Sequence, residues 1–316
     1  MTCAETKYGR IKDIVFGEYY QTGNIKRCVV KQKNKIDLAC GALIPQYQDD
    51  AKRKRLSKSV TFYENGSLET VILQDITRIP TKLGSIPAEM VSFYESGAIR
   101  RIFPSFGTIS AFWTEEDERN FSPEISLDLP FGAFCGKAIN FMFYETGELR
   151  SMTLWPKDSL TIDTPAGAIA TRIGFGLYPD GKIRSLEPQA LAPVKTPIGV
   201  IPAYDPDAIG IDGDKNSLRF SRDGSVEALL TSAASVTVTR DREKIGEHGP
   251  SSKKSDYFDG MFALEPLKIS FHGRSVCFGK RKDDKAEAEY SADECGFIIE
   301  PFSSKGFHNT CEECYG

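Results

Sequence analysis

The chain has 316 residues, a formal net charge of -4 and a pI near 5.6, with 40% hydrophobic and 27% charged residues. That length can bury a core as one large all-β domain or as two domains, and the composition excludes wholesale disorder. The acidic balance argues against a general polyanion binder, and no apolar run approaches the ~18 residues that span a bilayer.

Two glycine motifs alternate along the chain. In order, the first reads Tyr19-Tyr20-Gln21-Thr22-Gly23-Asn24-Ile25, Phe62-Tyr63-Glu64-Asn65-Gly66-Ser67-Leu68 and Phe93-Tyr94-Glu95-Ser96-Gly97-Ala98-Ile99. It continues as Phe143-Tyr144-Glu145-Thr146-Gly147-Glu148-Leu149, Leu177-Tyr178-Pro179-Asp180-Gly181-Lys182-Ile183 and Phe220-Ser221-Arg222-Asp223-Gly224-Ser225-Val226. An alternating apolar run, short polar residues, Gly and a second alternating run predict a β-hairpin, with Gly at the turn position of positive φ. The second motif centres on Gly9, Gly41, Gly84, Gly132, Gly167 and Gly199, as in Thr164-Pro165-Ala166-Gly167-Ala168-Ile169. Pro two residues before Gly is again a turn pattern.

From a second-motif glycine to the next first-motif glycine the distance is 13 to 15 residues in four copies and 25 in the other two. The return distances are 18 to 20 residues, with one of 35. A period of roughly 32 residues follows, strand–turn–strand–turn. Three insertions break it. The first, about Pro45 to Ser59, carries Lys52, Arg53, Lys54, Arg55 and Lys58; the second, Trp113 to Ser126, carries Glu115 and Glu116 beside Trp113; the third, Tyr204 to Ser217, carries Asp205, Asp207, Asp212 and Asp214. Repeat arrays place insertions in loops, often on one functional face.

After Val226 the repeats fade. Residues 1–239 are therefore expected to form a six-copy hairpin domain, 240–259 a polar linker or mobile loop, and 260–316 a small Cys-containing, β-rich region. Ala286 to Ala292 is the one candidate short helix.

The Phe-Tyr-Glu-Asn-Gly-x-Leu unit resembles the hairpin repeats of MORN-variant proteins, including antitoxin-like bacterial repeat proteins, over roughly Tyr19 to Leu229. The period here is longer than the roughly 23 residues expected of such repeats, and the Thr-Pro-x-Gly-x-Ile element is not part of that pattern. The resemblance implies a scaffold or binding surface and brings no catalytic residue.

The tail offers the sharpest chemical pattern. Cys311 and Cys314 have the Cys-x-x-Cys spacing of half a tetrahedral zinc site, His308 is a third ligand candidate, and Cys277 or Cys295 would complete it. An iron–sulfur cluster is the alternative cofactor, and an incidental pair or reversible dithiol the bland reading. Asp212 to Ser217 imitates the start of a calcium loop but lacks the sixth-position Gly, so a polar hairpin loop is the better reading. Lys52 to Arg55 has no interleaved aromatics for nucleic-acid stacking and reads as a solvated loop tip. The acidic cluster Glu115 to Glu118 beside Trp113 has a general acid/base pair as its sharper reading and a water-facing loop as the better one.

No Gly-rich phosphate loop, Gly-x-Ser-x-Gly or triad is present, and His248, His272 and His308 all lie outside the repeats. The expectation is an all-β antiparallel hairpin array, an open meander or β-solenoid, with a propeller or barrel as the closed alternatives. Its function is expected to be non-enzymatic scaffolding or binding through the inserted loops, with metal binding or redox chemistry at the C-terminal Cys/His cluster as the rival. The expected partner is a protein, with neither nucleic acid nor membrane, and homo-oligomers through sheet edges remain open. The start, Met1 to Lys7, lacks the regions of a signal peptide, so a cytoplasmic location is expected.

Overall fold

The structure is a computed structural model, and it describes residues 2–50, 52–208, 216–254, 262–281 and 285–302. Among them are 28 strands and one seven-residue helix, Glu115–Phe121. The fold is all-β and antiparallel. The described residues cluster into two compact units, one built mainly from residues 1–158 together with the turn 176–182, the other mainly from 159 onwards.

In the first unit nine strands follow one another as a meander: Thr2–Thr6, Gly9–Tyr19, Ile25–Val30, Val60–Phe62, Leu68–Thr81, Gly84–Phe93, Ile99–Phe103, Ala138–Phe143 and Leu149–Leu154. Each is antiparallel to the next. In the second unit Ile183–Pro188, Leu218–Phe220, Val226–Thr231, Leu267–His272, Ser275–Lys280 and Ala288–Ser291 pair in the same way. Among the described residues no first strand pairs with a last one within either unit, so the meander is open.

Every first-motif turn has one geometry. Tyr63 N–H bonds to the Ser67 carbonyl at 2.8 Å and Gly66 N–H to the Tyr63 carbonyl at 2.9 Å, and the other five copies repeat both bonds. This is a type I turn followed by a residue of positive φ, and Gly66 takes φ 80°. The following register shift puts Phe62 opposite Leu68 with both side chains buried.

The recurring tyrosine stitches one copy to the next. Its hydroxyl donates to the backbone carbonyl of the following copy: Tyr20 to Phe62 (2.9 Å), Tyr63 to Phe93 (2.8 Å), Tyr94 to Phe143 (2.7 Å) and Tyr144 to Leu177 (2.9 Å). The phenylalanine beside it faces the core; Phe62, Phe93, Phe143 and Phe220 are all buried. Stacked aromatic ladders from copy to copy are the natural expectation for such pairs. Hydroxyl–carbonyl bonds make the ladder instead.

The second motif closes two-residue turns in hairpin arms. Thr6, Thr81, Thr164 and Thr196 each donate through Oγ1 to the carbonyl of the glycine three residues on, all at 2.7 Å, and the residue before that glycine donates its N–H to the same hydroxyl. The two motifs also pack on each other. A Cβ built at Gly147 would lie 3.3 Å from the Lys82 side chain, at Gly181 3.0 Å from Pro130, and at Gly224 3.2 Å from Pro165. In these three places the residue two before a second-motif glycine covers a first-motif glycine of a later copy, which fixes the interleaving seen in the sequence.

The stretch 240–259 contains the strands Glu243–His248 and Ser251–Lys254; the first pairs with Ala234–Arg240, which also pairs with Gly296–Pro301. Ala286 to Ala292 is not helical: Ala288–Ser291 is a strand paired to Ser275–Lys280. Phe278 on the paired strand and His248 at the end of Glu243–His248 give Tyr290 an aromatic contact that a free helix would lack. Among the described residues no helix is long and apolar enough to cross a membrane.

Candidate functional site

The first two insertions meet in the first unit, and their charged residues do not all face water. Arg53 and Lys54 are buried, at 4% and 7% exposure, so the basic run is not a solvated loop tip. The expectation failed because carboxylates from two distant stretches, Glu89 and Glu118, supply partners that spacing alone does not reveal.

Glu118 is placed by the helix Glu115–Phe121. Thr114 and Asp117 form a reciprocal capping box, with Thr114 N–H to Asp117 Oδ2 at 2.9 Å and Asp117 N–H to Thr114 Oγ1 at 3.1 Å. Glu115 and Glu116 stay exposed in the first turn, where negative charge suits the helix dipole. Glu118, one turn on, points inward. It accepts Arg53 Nε and Nη2, the Gly107 N–H and Trp113 Nε1, each at 2.7 Å.

Glu89 comes from the strand Gly84–Phe93. It accepts Arg53 Nη1 at 2.8 Å and Nη2 at 2.5 Å, Lys54 Nζ at 3.2 Å and the Phe106 N–H at 2.7 Å. Lys54 Nζ also donates to the Leu73 carbonyl at 2.9 Å. The Arg53 guanidinium lies 3.7 Å from the Phe121 ring centroid and 5.9 Å from that of Trp113. Two cations and two carboxylates therefore form a neutral, hydrogen-bonded cluster. Burial alone would push the Glu89 carboxyl up, but bonds from Arg53, the charges of Lys54 and Arg53, and the Phe106 N–H outweigh it and hold it below its ordinary value. Gly107 is required by close approach: a Cβ there would lie 2.2 Å from Glu118 Oε2.

This clamp presents an apolar surface. Ser110 and Trp113 exchange backbone bonds of 2.8 and 3.3 Å around a tight turn whose tip carries Phe112, 86% exposed. Ile109, Phe121 and Ile76 are exposed as well. Lys52 and Arg55 are exposed beside the buried pair, and Trp113 is half-buried.

The third insertion is tied down by the same device in the second unit. Glu187, buried on the strand Ile183–Pro188, accepts Ser217 Oγ at 2.8 Å and Ser217 N–H at 2.9 Å, while Asn216 Nδ2 donates to Ser185 Oγ at 2.9 Å. Asp205 pairs with Arg281 at 2.9 Å, and Arg172 donates to the Asp205 carbonyl at 2.6 Å. Burial pushes the Glu187 carboxyl up to about 7; the two Ser217 bonds oppose this and the Asp205 charge adds to it. Asp212 and Asp214 lie outside the described residues.

Of the cysteine cluster, His308, Cys311 and Cys314 also lie outside the described residues. Cys277 and Cys295 are buried free thiols, and burial, then the charge of Glu289, pushes the Cys277 thiol up. Among the described residues no group of three or more His, Cys, Asp or Glu is arranged to hold a metal ion.

Sequence reasoning missed Glu89, Gly107 and Glu187; it read Glu118 with its acidic neighbours as water-facing, which its burial and four hydrogen bonds overturn, and Ser217 as part of a polar loop. Two signals were available: a lone carboxylate inside an apolar strand run, as in Ala88-Glu89-Met90-Val91, and the Thr114-x-x-Asp117 box that announces a helix. Comparison with protein-family models, curated proteins and solved structures returned no match.

Proposed function

We propose that the chain is a non-enzymatic, cytoplasmic binding protein that presents its insertions from the hairpin frame to a protein partner. The observation that carries this is the Arg53–Glu89–Glu118 clamp. It fixes two loops rigidly, engages their charges with one another, and leaves Phe112 almost wholly in solvent at the tip of a hydrogen-bonded turn. An ordered loop with an exposed aromatic tip loses little entropy on docking, and aromatic anchors dominate interface energies. The likeness of the hairpin unit to MORN-variant repeats supports the same reading.

The test is affinity capture from the extract of the native cell. The wild-type chain retains a discrete stoichiometric partner, and Phe112→Asp loses it with thermal unfolding unchanged. Asp163→Lys, on an exposed arm, retains it. Equal capture by all three chains, or sustained turnover of a small molecule by the purified protein, overturns the proposal.

A further inference from the structure

Beside the clamp in the first unit lies a cleft of about 390 Å³. Its floor is the ion cluster, where the charges of Arg53 and Lys54 are already paired with Glu89 and Glu118. Ile76 and Phe121, each 44% exposed, give it apolar walls. Asp50 and Asp75, both exposed, stand in its lining, and among the described residues neither carboxylate has an ion-pair partner; Asp50 Oδ1 accepts only the Lys52 N–H, at 3.2 Å.

Three glutamines, Gln46, Gln48 and Gln74, complete the lining. Gln46 is 2% exposed, and its Nε2 is engaged by the Gln48 and Arg55 carbonyls at 3.3 Å each, while its Oε1 has no partner among the described residues. Gln74 Oε1 accepts the Tyr47 and Gln48 N–H groups at 2.9 and 3.0 Å, which leaves its Nε2 for an incoming carbonyl.

From this juxtaposition we infer that the cleft is the docking site for a basic segment of the protein partner, taking a Lys or Arg side chain whose stem lies on Phe121 and Ile76 and whose head meets Asp50, Asp75 and Gln46 Oε1. The inference rests on the binding-protein reading and gives its partner a chemistry. A long cationic side chain matches all three parts of the lining, because its stem is apolar and its head is a donor. The unpaired rim carboxylates repel a phosphate backbone, which disfavours a nucleic acid here.

The probe is a fluorescein-labelled, end-capped hexapeptide, Gly-Leu-Arg-Leu-Arg-Gly, compared by anisotropy with its Glu-for-Arg counterpart on the full chain. The basic peptide is expected to bind at least tenfold more tightly than the acidic one, and to weaken several-fold between 50 and 300 mM salt. Asp50→Asn/Asp75→Asn should reduce that affinity about tenfold with unfolding unchanged, whereas Asp128→Asn, on an exposed arm, should leave it unaltered. Equal binding of the two peptides, binding of neither, or indifference to the double substitution overturns the inference. Loss of the captured partner in Phe112→Asp without any preference for the basic peptide would leave the binding function standing and remove this site from it.

Discussion

Arg53 is one of four consecutive basic residues, yet its guanidinium is turned inward and paired with two carboxylates. Burying it is tolerable only because four of its N–H bonds meet carboxylate oxygens and its face meets Phe121. Removing one partner leaves the rest uncompensated. Glu118→Ala is therefore expected to destabilise the chain by roughly 3–5 kcal/mol in urea unfolding, against less than about 0.5 kcal/mol for Glu115→Ala on the water-facing side of the same helix. Equal effects would show that the cluster does not anchor the insertions. Gly107→Ala belongs with Glu118→Ala, since its Cβ would occupy the space of the Glu118 carboxylate.

At the level of the hairpin, nearly everything was legible, because turn chemistry is local. All twelve motif glycines take positive φ, from 80° at Gly66 to 133° at Gly132. Gly97→Ala, with no atom near its Cβ, isolates this backbone term and should cost about 1–2 kcal/mol in urea unfolding; no loss would refute the turn assignment. The tyrosine was legible as a repeat mark but not as a bond, since its acceptor lies one copy away. Tyr94→Phe keeps the ring and deletes only the 2.7 Å bond to the Phe143 carbonyl, so a loss of about 1 kcal/mol is expected. Tyr19→Phe is the control: its ring is half-exposed, one position ahead of the bonded Tyr20, and its loss should be neutral in the same measurement.

Across the whole molecule, the insertions were legible as interruptions of the period, while their interiors were not. They are held by carboxyl groups on frame strands, Glu89 and Glu187, whose side-chain partners are 30 or more residues away in sequence. The two anchors carry opposite pH signatures. Glu89 is held below its ordinary value by cations, so its contribution is complete above pH 4.5 and is lost only as pH falls through its lowered value. Glu187, raised by burial to about 7 from 4.5, keeps its proton in the folded chain where the unfolded chain has released it. Its contribution is complete below pH 4.5 and is lost as pH rises through about 7, a change on the order of 3 kcal/mol. Asp205, also raised by burial against the pull of Arg281, acts in the same direction. Hydrogen exchange corrected for intrinsic amide rates should therefore show Ile183–Pro188 and Leu218–Phe220 losing protection between about pH 4.5 and about 7, while Gly84–Phe93 holds. Glu187→Gln can accept the Ser217 N–H through its amide oxygen and donate to Ser217 Oγ through its amide nitrogen, with no titrating proton, so the pH-dependent loss should largely disappear. Unchanged protection in the wild-type chain, or an undiminished loss in the Gln variant, would show that this buried carboxyl does not set the stability of the strands that hold the third insertion.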